Sequence, residues 1–457
     1  MSGKDTQAEL LDLGARIVER ARKAGADVAE AVVSEGSHLS TKVRLGAPEL
    51  VEEAGSRSVG LRVIQGGRVA VSATSDLSEA GIARFVEDAM ELAGLSERDE
   101  LAGPPDPSLL SRREQHADLD LFDPSVDAID GAAALKHALT GEKAARDFDA
   151  RVTNSEGATF SRASGSKAIV TSGGFAGYSR GTYASLTVSP VVDDKGGKKR
   201  SGYHWTAKRH YAELDSDTYV GEEAARRTLA KLGARKVPTQ EAPVVFDPDT
   251  ARSLLGMLAG CISGGAIWRK SSYLADRLGT KVASELVTVV DDPLIPRAPG
   301  SRAFDGEGLL SRRNVVVDRG ELKSYLLDTY SGRKLGMPST ASASRGGSAG
   351  VGPGTTNFLL QPGSETPGQI LKSVRRGLYV TDMMGSGFNP VTGDFSRGAA
   401  GFWIEEGEKT FPVSEITISL NLNELLQRID AVGNDLDLRS SVAAPTIRVS
   451  AMTIAGT

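Results

Sequence analysis

The sequence is poor in side chains that bind metals or attack a substrate. Its 457 residues include five histidines and one cysteine, Cys261. All the histidines precede Tyr211; they are His38, His116, His137, His204 and His210. The half of the chain after Tyr211 therefore cannot by itself assemble a zinc site from histidine and cysteine, or a nucleophile paired with histidine.

Other absences narrow the class of protein. A single cysteine excludes an internal disulfide and suits a reducing, cytoplasmic compartment. No apolar stretch of about 18 residues could span a membrane, and the polar start from Met1 to Gln7 does not resemble a signal peptide. The net charge is -5, and the one basic cluster, Lys195 to Arg200, is flanked by strand-like segments. This balance disfavours nucleic acid as the main partner.

Periodicity predicts an α+β protein. A helical pattern from Leu10 to Ala21 is followed by short strand-like segments, with Gly36, Gly46, Gly55 and Gly66-Gly67 predicted as turns, and then by a second helix. The same order of elements recurs further along the chain, which indicates an internal duplication. We predict four segments, listed by number: a first α+β unit at 1–102, a linker or crossing loop at 103–125, a second α+β unit at 126–237, and a β-rich domain at 238–457.

The last segment is predicted to be a barrel-like or sandwich-like β domain with peripheral helices. Strand patterns outnumber helical ones, and Arg319-Gly320 and Glu406-Gly407 are predicted as tight hairpin turns. The strand predictions include Leu286 to Val290 and Glu321 to Leu326. The helical predictions include Leu422 to Ala431.

Two glycine-rich stretches in this domain are candidate binding loops. One runs from Arg345 to Gly354, and the other lies within Asp382 to Asp394. Neither has the motif of a nucleotide-binding loop. They are either tight turns between strands or the backbone-lined wall of a cleft that pairs with an extended peptide. The candidate cleft residues are Arg345, Gly346, Gly347, Gly385, Ser386, Gly387, Asn389 and Asp394.

The remaining reactive side chains are expected to have structural roles. Cys261 lies on an apolar helix, where a lone thiol usually packs in the core. His204 and His210 lack a third metal ligand. The acidic pairs lack a visible partner for acid–base chemistry; they are Asp291-Asp292, Asp305 with Glu307, and Glu405-Glu406.

Four blocks of sequence carry a resemblance to a known family. They are Val282 to Asp292 (VASELVTVVDD), Asp305 to Gly308 (DGEG), Thr392 to Ser396 (TGDFS) with Gly401, and Val432 to Asp435 (VGND). In this order the chain resembles the TldD/TldE (PmbA) family, also labelled modulators of DNA gyrase, over essentially its whole length.

The resemblance implies a role without catalysis for this chain. In TldD subunits a His-Glu-x-x-x-His signature and a later cysteine hold a catalytic zinc, and the corresponding positions here are Leu255, Gly256 and Gly260. The short path from Gly433-Asn434-Asp435 to Pro445 contains no thiol. We therefore expect a TldE/PmbA-like subunit without a cofactor of its own. The zinc would belong to a TldD-like partner, and the pair would cleave peptides or unfolded proteins, including peptide precursors, with this chain forming a chamber wall.

Two alternatives stay open at this point. One is a stand-alone homodimer that binds peptides or regulates another protein, to which the gyrase label belongs. The other is an enzyme that uses chemistry other than zinc in the same cleft.

Overall fold

The computed structural model describes residues 3–456, with side chains from Thr6 onward, so the polar start at Met1 and Ser2 lies outside the described residues. The chain begins with an amphipathic helix, as predicted, which buries Leu10, Leu13 and Ile17. The elements of the first α+β unit are α1 (Gly3–Lys23), β1 (Val28–Arg44), β2 (Ala47–Gln65), β3 (Arg68–Thr74) and α2 (Glu79–Leu95).

The second unit repeats the order of helix, two long strands, shorter strands and helix. Its elements are α3 (Pro124–Asp127), α4 (Gly131–Asp147), β4 (Asn154–Thr171), β5 (Ala176–Asp193), β6 (Lys199–Ser201), β7 (His204–Lys208) and α5 (Asp217–Leu229). Both units contribute to one sheet in the order β3-β2-β1-β4-β5-β6, with β7 also paired to β5. The two copies meet at the antiparallel pair β1–β4.

The prediction of turns at Gly36 and Gly55 was wrong. Both glycines lie inside long strands, whereas Gly46 and Gly66-Gly67 do form turns. Gly36 is needed for close packing between strands, because a Cβ there would lie 2.9 Å from the carbonyl oxygen of Ser164. A glycine inside a strand marks a close approach of backbone as often as a turn, and sequence alone does not separate the two.

The C-terminal region is a barrel with peripheral helices, as the sequence predicts. Five strands close it in the order β17-β16-β15-β8-β20, with β20 pairing back to β17. The strands from residue 240 onward are β8 (Gln240–Phe246), β9 (Val289–Asp291), β10 (Asn314–Asp318), β11 (Glu321–Leu322), β12 (Ala343–Arg345), β13 (Val351–Pro353), β14 (Phe358–Leu360), β15 (Arg376–Met384), β16 (Asp394–Glu405), β17 (Glu408–Asn421), β18 (Ile429–Val432), β19 (Val442–Ala443) and β20 (Ile447–Ala455). The helices are α6 (Pro248–Cys261), α7 (Gly264–Trp268), α8 (Thr329–Leu335), α9 (Pro367–Lys372) and α10 (Leu422–Gln427).

Turn chemistry in this domain was predictable, but some element lengths were not. The hairpin turns Arg319-Gly320 and Glu406-Gly407 are confirmed, and all four residues have positive φ, as two-residue hairpin turns of type I′ require. The helix predicted from Leu422 to Ala431 ends at Gln427 and gives way to β18. The strands predicted at 286–290 and 321–326 are present only as the short strands β9 and β11. The rest of each run has irregular backbone.

The helices α1, α2, α4 and α5 pack on one face of the large sheet, and α5 also contacts the C-terminal domain, where Arg227 Nη1 lies 3.6 Å from Asp249 Oδ2. α1 and α2 cover one end of this face of the sheet and α4 and α5 the other, each pair with its own apolar core. On the opposite face, Val32 and Ile169 pack against Phe304 and Ala349 of the C-terminal domain. The segment 103–125 crosses between the layers, and the Ser111 N–H donates to the Gly308 carbonyl over 2.8 Å. Within residues 3–456, no helix is long and apolar enough to cross a membrane.

Candidate functional site

Helix α6 carries the three positions at which the family resemblance places zinc chemistry. Asp247 caps the helix by accepting the Thr250 N–H over 2.8 Å. Leu255 points into the core of the barrel domain with 5% of its surface exposed. Gly256 and Gly260 lie on the exposed side, where an added Cβ would meet no atom within 4 Å. None of the three residues has a side-chain atom that can bind a metal or move a proton.

Cys261 ends the same helix and is fully buried in that core. Burial raises the pKa of its thiol to about 11, so the thiolate needed for nucleophilic attack or metal binding is scarce at neutral pH. Its backbone carbonyl accepts the Ser272 hydroxyl over 2.7 Å. The location fits the packing role expected from the sequence.

The segment after Gly433-Asn434-Asp435 runs beside α6, because the strand β19 within it packs on that helix. The Asp435 carboxylate closes it by accepting both the N–H and the hydroxyl of Thr446, over 3.0 and 2.7 Å. Arg439 fixes its middle to the N-terminal sheet, because its carbonyl accepts the Tyr183 hydroxyl over 2.9 Å. Across the described side chains, no three His, Cys, Asp or Glu residues lie together as a metal site would require.

The glycine-rich stretch from Arg345 to Gly354 forms a hairpin of β12 and β13. Arg345 is buried and pairs with Glu30 of the N-terminal sheet, Nη2 to Oε2, over 2.8 Å. Gly346 and Gly347 are exposed at the tip. The tip lies on β2 at Gly60, where a Cβ would come within 2.2 Å of the Gly347 carbonyl oxygen. Arg345 therefore joins two domains, and peptide contact at Gly346 and Gly347 stays a prediction.

The second glycine cluster forms the exposed loop between β15 and β16. Gly385, Ser386, Gly387, Asn389 and Asp394 are all exposed. The Asn389 N–H donates to the Asp394 carbonyl over 2.9 Å, and the Ser396 N–H donates to the Gly387 carbonyl over 2.8 Å. The loop thus has an ordered backbone without a buried polar group that would require a ligand, and its contact with peptide also stays a prediction.

The two histidines with even spacing lie in different environments, and the buried Nδ1 of His204 has no hydrogen-bond partner among the described residues. His204 is buried in β7, and burial, followed by nearby arginines, lowers its pKa to about 3. His210 lies at the crossing segment, where Nε2 is 2.9 Å from the Asp120 carbonyl oxygen. The structural roles expected for both histidines stay a prediction.

Asp305 and Glu307 are both buried, and Asp291 is buried beside the partly exposed Asp292. Asp305 accepts the N–H groups of Glu307 and Leu309, each over 2.9 Å, and Glu307 accepts the N–H and hydroxyl of Thr329 over 2.9 and 2.7 Å. Burial and then the Asp305 charge raise the pKa of Glu307 to about 7. These contacts order the loop 305–309, while Glu405 and Glu406 are exposed at a hairpin turn.

Sequence reasoning missed a cavity of about 860 Å³ between the N-terminal sheet and the C-terminal domain. Arg345 contributes to its wall, but the 385–394 loop does not. Lys167 from β4 and Arg302 from the C-terminal domain also line it. No local motif predicts this site, because its residues are distant in sequence and meet only in the folded chain.

Proteins of a known family match this chain over nearly its whole length. It is 36% identical over 456 residues to the metalloprotease PmbA of Escherichia coli O157:H7, which covers 100% of this chain and 98% of that protein. It is 37% identical to a PmbA homologue of Haemophilus influenzae, over 99% of this chain and 97% of that protein. The chain belongs to the PmbA/TldD metallopeptidase family. Three family models match it: PmbA/TldA metallopeptidase domain 1 at residues 29–93, the central domain at 124–232 and the C-terminal domain at 239–456.

Solved structures of the PmbA/TldD family share the whole architecture. A protein from Bacteroides thetaiotaomicron, described as a candidate modulator of DNA gyrase, superimposes with a TM-score of 0.91 at 27% identity, over 98% of both chains. TldE from Thermococcus kodakarensis has the same fold, with a TM-score of 0.88 at 22% identity over 97% of this chain and all of that one. A TldD homologue of Haemophilus influenzae is 28% identical over 60% of this chain and 61% of that protein.

Proposed function

We propose that this chain is the subunit without zinc in a two-subunit protease whose other subunit is TldD-like. In this proposal it forms a wall of the chamber in which peptides or unfolded proteins are cleaved, and the catalytic zinc is bound by the partner. The observation that carries the proposal is the chemistry of α6: Leu255, Gly256 and Gly260 occupy the positions of the zinc signature without any ligating atom. A catalytic zinc needs three protein ligands around an open position.

The surroundings of α6 support the same proposal. The segment 433–446, from which the resemblance would supply a cysteine ligand, passes α6 without a thiol. A hydrogen bond between Asp435 and Thr446 connects the two ends of that segment, and the Arg439 carbonyl accepts a hydrogen bond from the N-terminal sheet. In this proposal, neither part of a TldD-type zinc site is present in this chain. The exposed glycine loops would offer backbone to an extended substrate by strand addition.

Co-expression with a TldD-like protein that carries the His-Glu-x-x-x-His signature tests the proposal. We expect the two chains to co-purify as a complex that contains zinc and cleaves a denatured protein substrate. The isolated chain is expected to show neither tightly bound zinc nor cleavage. Replacing the glutamate of the partner's signature by glutamine should abolish cleavage and preserve the complex.

A matched variant of this chain is Gly256→Ala/Gly260→Ala. Both positions are exposed and have room for a methyl group, and alanine favours the helix, so the fold should be retained. Cleavage by the complex should stay within about twofold of the wild type, which is within about 0.4 kcal/mol of transition-state stabilisation. Loss of cleavage in this variant would mean that α6 of this chain takes part in the reaction. A stable homodimer that does not bind the TldD-like chain would favour the stand-alone alternative.

A further inference from the structure

The cavity between the N-terminal sheet and the C-terminal domain has a floor of bare backbone. Gly36, Gly165 and Gly181 face it from three neighbouring strands and lie in register, Gly36 opposite Gly165 and Gly165 opposite Gly181. Gly36 and Gly165 leave this part of the sheet without side chains beneath the volume of about 860 Å³, whereas the Leu121 carbonyl and Arg209 cover Gly181. A cavity of this size can hold a small organic ligand or a few residues of a peptide.

Arg302 lines this cavity without a direct hydrogen-bond partner for its guanidinium. Among the described side chains, no hydrogen bond or ion pair reaches its guanidinium, and its Nε and Nη2 atoms are buried and unpaired. Burial lowers the pKa of the Arg302 guanidinium, and the smaller effect of the nearby Asp305 and Asp291 carboxylates opposes this change. Both carboxylates accept backbone N–H groups instead, Asp291 from Thr356 over 2.6 Å and Asp305 from Leu309 over 2.9 Å.

Lys167 adds a second cation without a carboxylate partner. Its Nζ donates to the Arg345 carbonyl over 2.5 Å, and no ion pair involves it within the described part of the chain. Burial, followed by the charges of Arg345 and Arg302, lowers its pKa to about 8. Arg345 is paired with Glu30, and Arg209, which also lines the cavity, donates to the carbonyls of Ala298 and Pro299. Lys167 and Arg302 are therefore the partly buried cations of the wall with the fewest acceptors.

Of the four acidic residues that line the cavity, Asp118 and Asp305 accept backbone N–H groups, and the other two are in ion pairs. Glu35 pairs with Arg57, Oε2 to Nε, over 3.4 Å, and Asp120 pairs with Arg297, Oδ2 to Nη2, over 2.6 Å. The cavity therefore has an excess of positive charge on its inner wall. Buried N–H donors without an acceptor are unfavourable, and a bound carboxylate or phosphate group would accept charge-assisted hydrogen bonds from Arg302 and Lys167.

We propose that the cavity binds a small anionic ligand whose carboxylate or phosphate oxygens bridge Arg302 and Lys167, with the rest of the ligand lying on the glycine floor. The proposal does not depend on the assignment of this chain as a protease partner. Peptides and phosphorylated metabolites both offer the required group, and they are distinguished by the choice of probe.

Isothermal titration of the full chain at constant ionic strength tests the proposal. The probes are inorganic phosphate, the tripeptide Ala-Ala-Ala with a free carboxylate, and the same tripeptide with an amidated C-terminus. We expect saturable binding, near one site per chain, of phosphate or of the free tripeptide. Binding of the free tripeptide but not of its amide identifies a peptide carboxylate, and binding of phosphate alone identifies a phosphate ligand.

Variants link the binding to the two cations. Arg302→Gln and Lys167→Gln should each weaken it by about tenfold or more, as expected for loss of a hydrogen bond from a charged group. Arg180→Gln is the matched control, because Arg180 is exposed at the same cavity and stacks on Phe122; its affinity should stay within about twofold of the wild type.

Two results would overturn the inference. The first is the absence of saturable binding of all three probes to the wild-type chain, which would leave water as the partner of Arg302. The second is unchanged affinity in a folded Arg302→Gln chain. If that variant does not fold, the folded Lys167→Gln chain decides: unchanged affinity there would overturn the inference equally.

Discussion

Replacing Arg345 by methionine should destabilise the protein strongly, because Arg345 joins its two halves through a buried charge. Glu30 on β1 has 1% of its side chain exposed, and the Arg345 side chain has none. Burial would raise the pKa of Glu30, but Arg345 and Arg62 together lower it below its usual value. The carboxylate is therefore ionised and depends on both guanidinium groups.

The expected loss follows from what the substitution leaves behind. Removing one partner of a buried ion pair typically costs about 3–5 kcal/mol. Arg62 remains 2.8 Å from Glu30, which favours the lower limit, while the Gly306 and Ala349 carbonyls lose the hydrogen bonds that Arg345 donates. We expect a decrease of about 3 kcal/mol in the free energy of unfolding, measured by urea denaturation with fluorescence and circular dichroism.

The matched control is Arg375→Met. Arg375 pairs with Glu406 over 3.3 Å, but both side chains are largely exposed, and such surface pairs contribute at most about 1 kcal/mol. If Arg345→Met lost no more stability than Arg375→Met, the buried ion pair would not hold the hairpin to the sheet. Arg345 would then be free for the peptide contact that the sequence suggested.

Two further substitutions test other parts of the structure. Because the pKa of Glu307 is raised to about 7, the free energy of unfolding of the wild type should fall as the pH rises from about 4.5 through 7. Glu307→Gln should remove that fall and should be more stable than the wild type at pH 8, by up to about 3 kcal/mol in urea titrations. An unchanged pH profile in the variant would contradict the assigned pKa. Gly60→Ala should lower the thermal midpoint, because its methyl group would overlap the Gly347 backbone. The control is Gly94→Ala in α2, where the added Cβ meets nothing within 4 Å, and it should be neutral or stabilising. Equal effects of the two substitutions on the thermal midpoint would rule out docking of the hairpin tip at Gly60.

The sequence predicted the parts of the fold that depend on local patterns. Helical periodicity identified α1, and the dipeptides Arg319-Gly320 and Glu406-Gly407 identified hairpins, because positive φ at both positions favours few residues. Gly36 and Gly55 were misassigned because a glycine that allows close strand packing has the same local signature as a turn glycine. The difference lies in residues far along the chain, such as Ser164.

The candidate site was predictable only in part, for the same reason. That Leu255, Gly256 and Gly260 cannot bind a metal through their side chains follows from their identity alone. The burial of Arg345 does not, because its partner Glu30 lies in the first unit and the glycines after it suggested an exposed loop. The cavity with Lys167 and Arg302 has no signature in the sequence, since it depends on how the C-terminal domain packs on the sheet.

The most direct test of the proposed function is the location of the zinc. We would reconstitute this chain with a TldD-like partner, measure zinc in the complex and in each isolated chain, and assay each for cleavage of a denatured protein. The proposal predicts one zinc per pair, retained by the partner, and no zinc or cleavage in this chain alone. Stoichiometric zinc together with proteolysis in the isolated chain would contradict it.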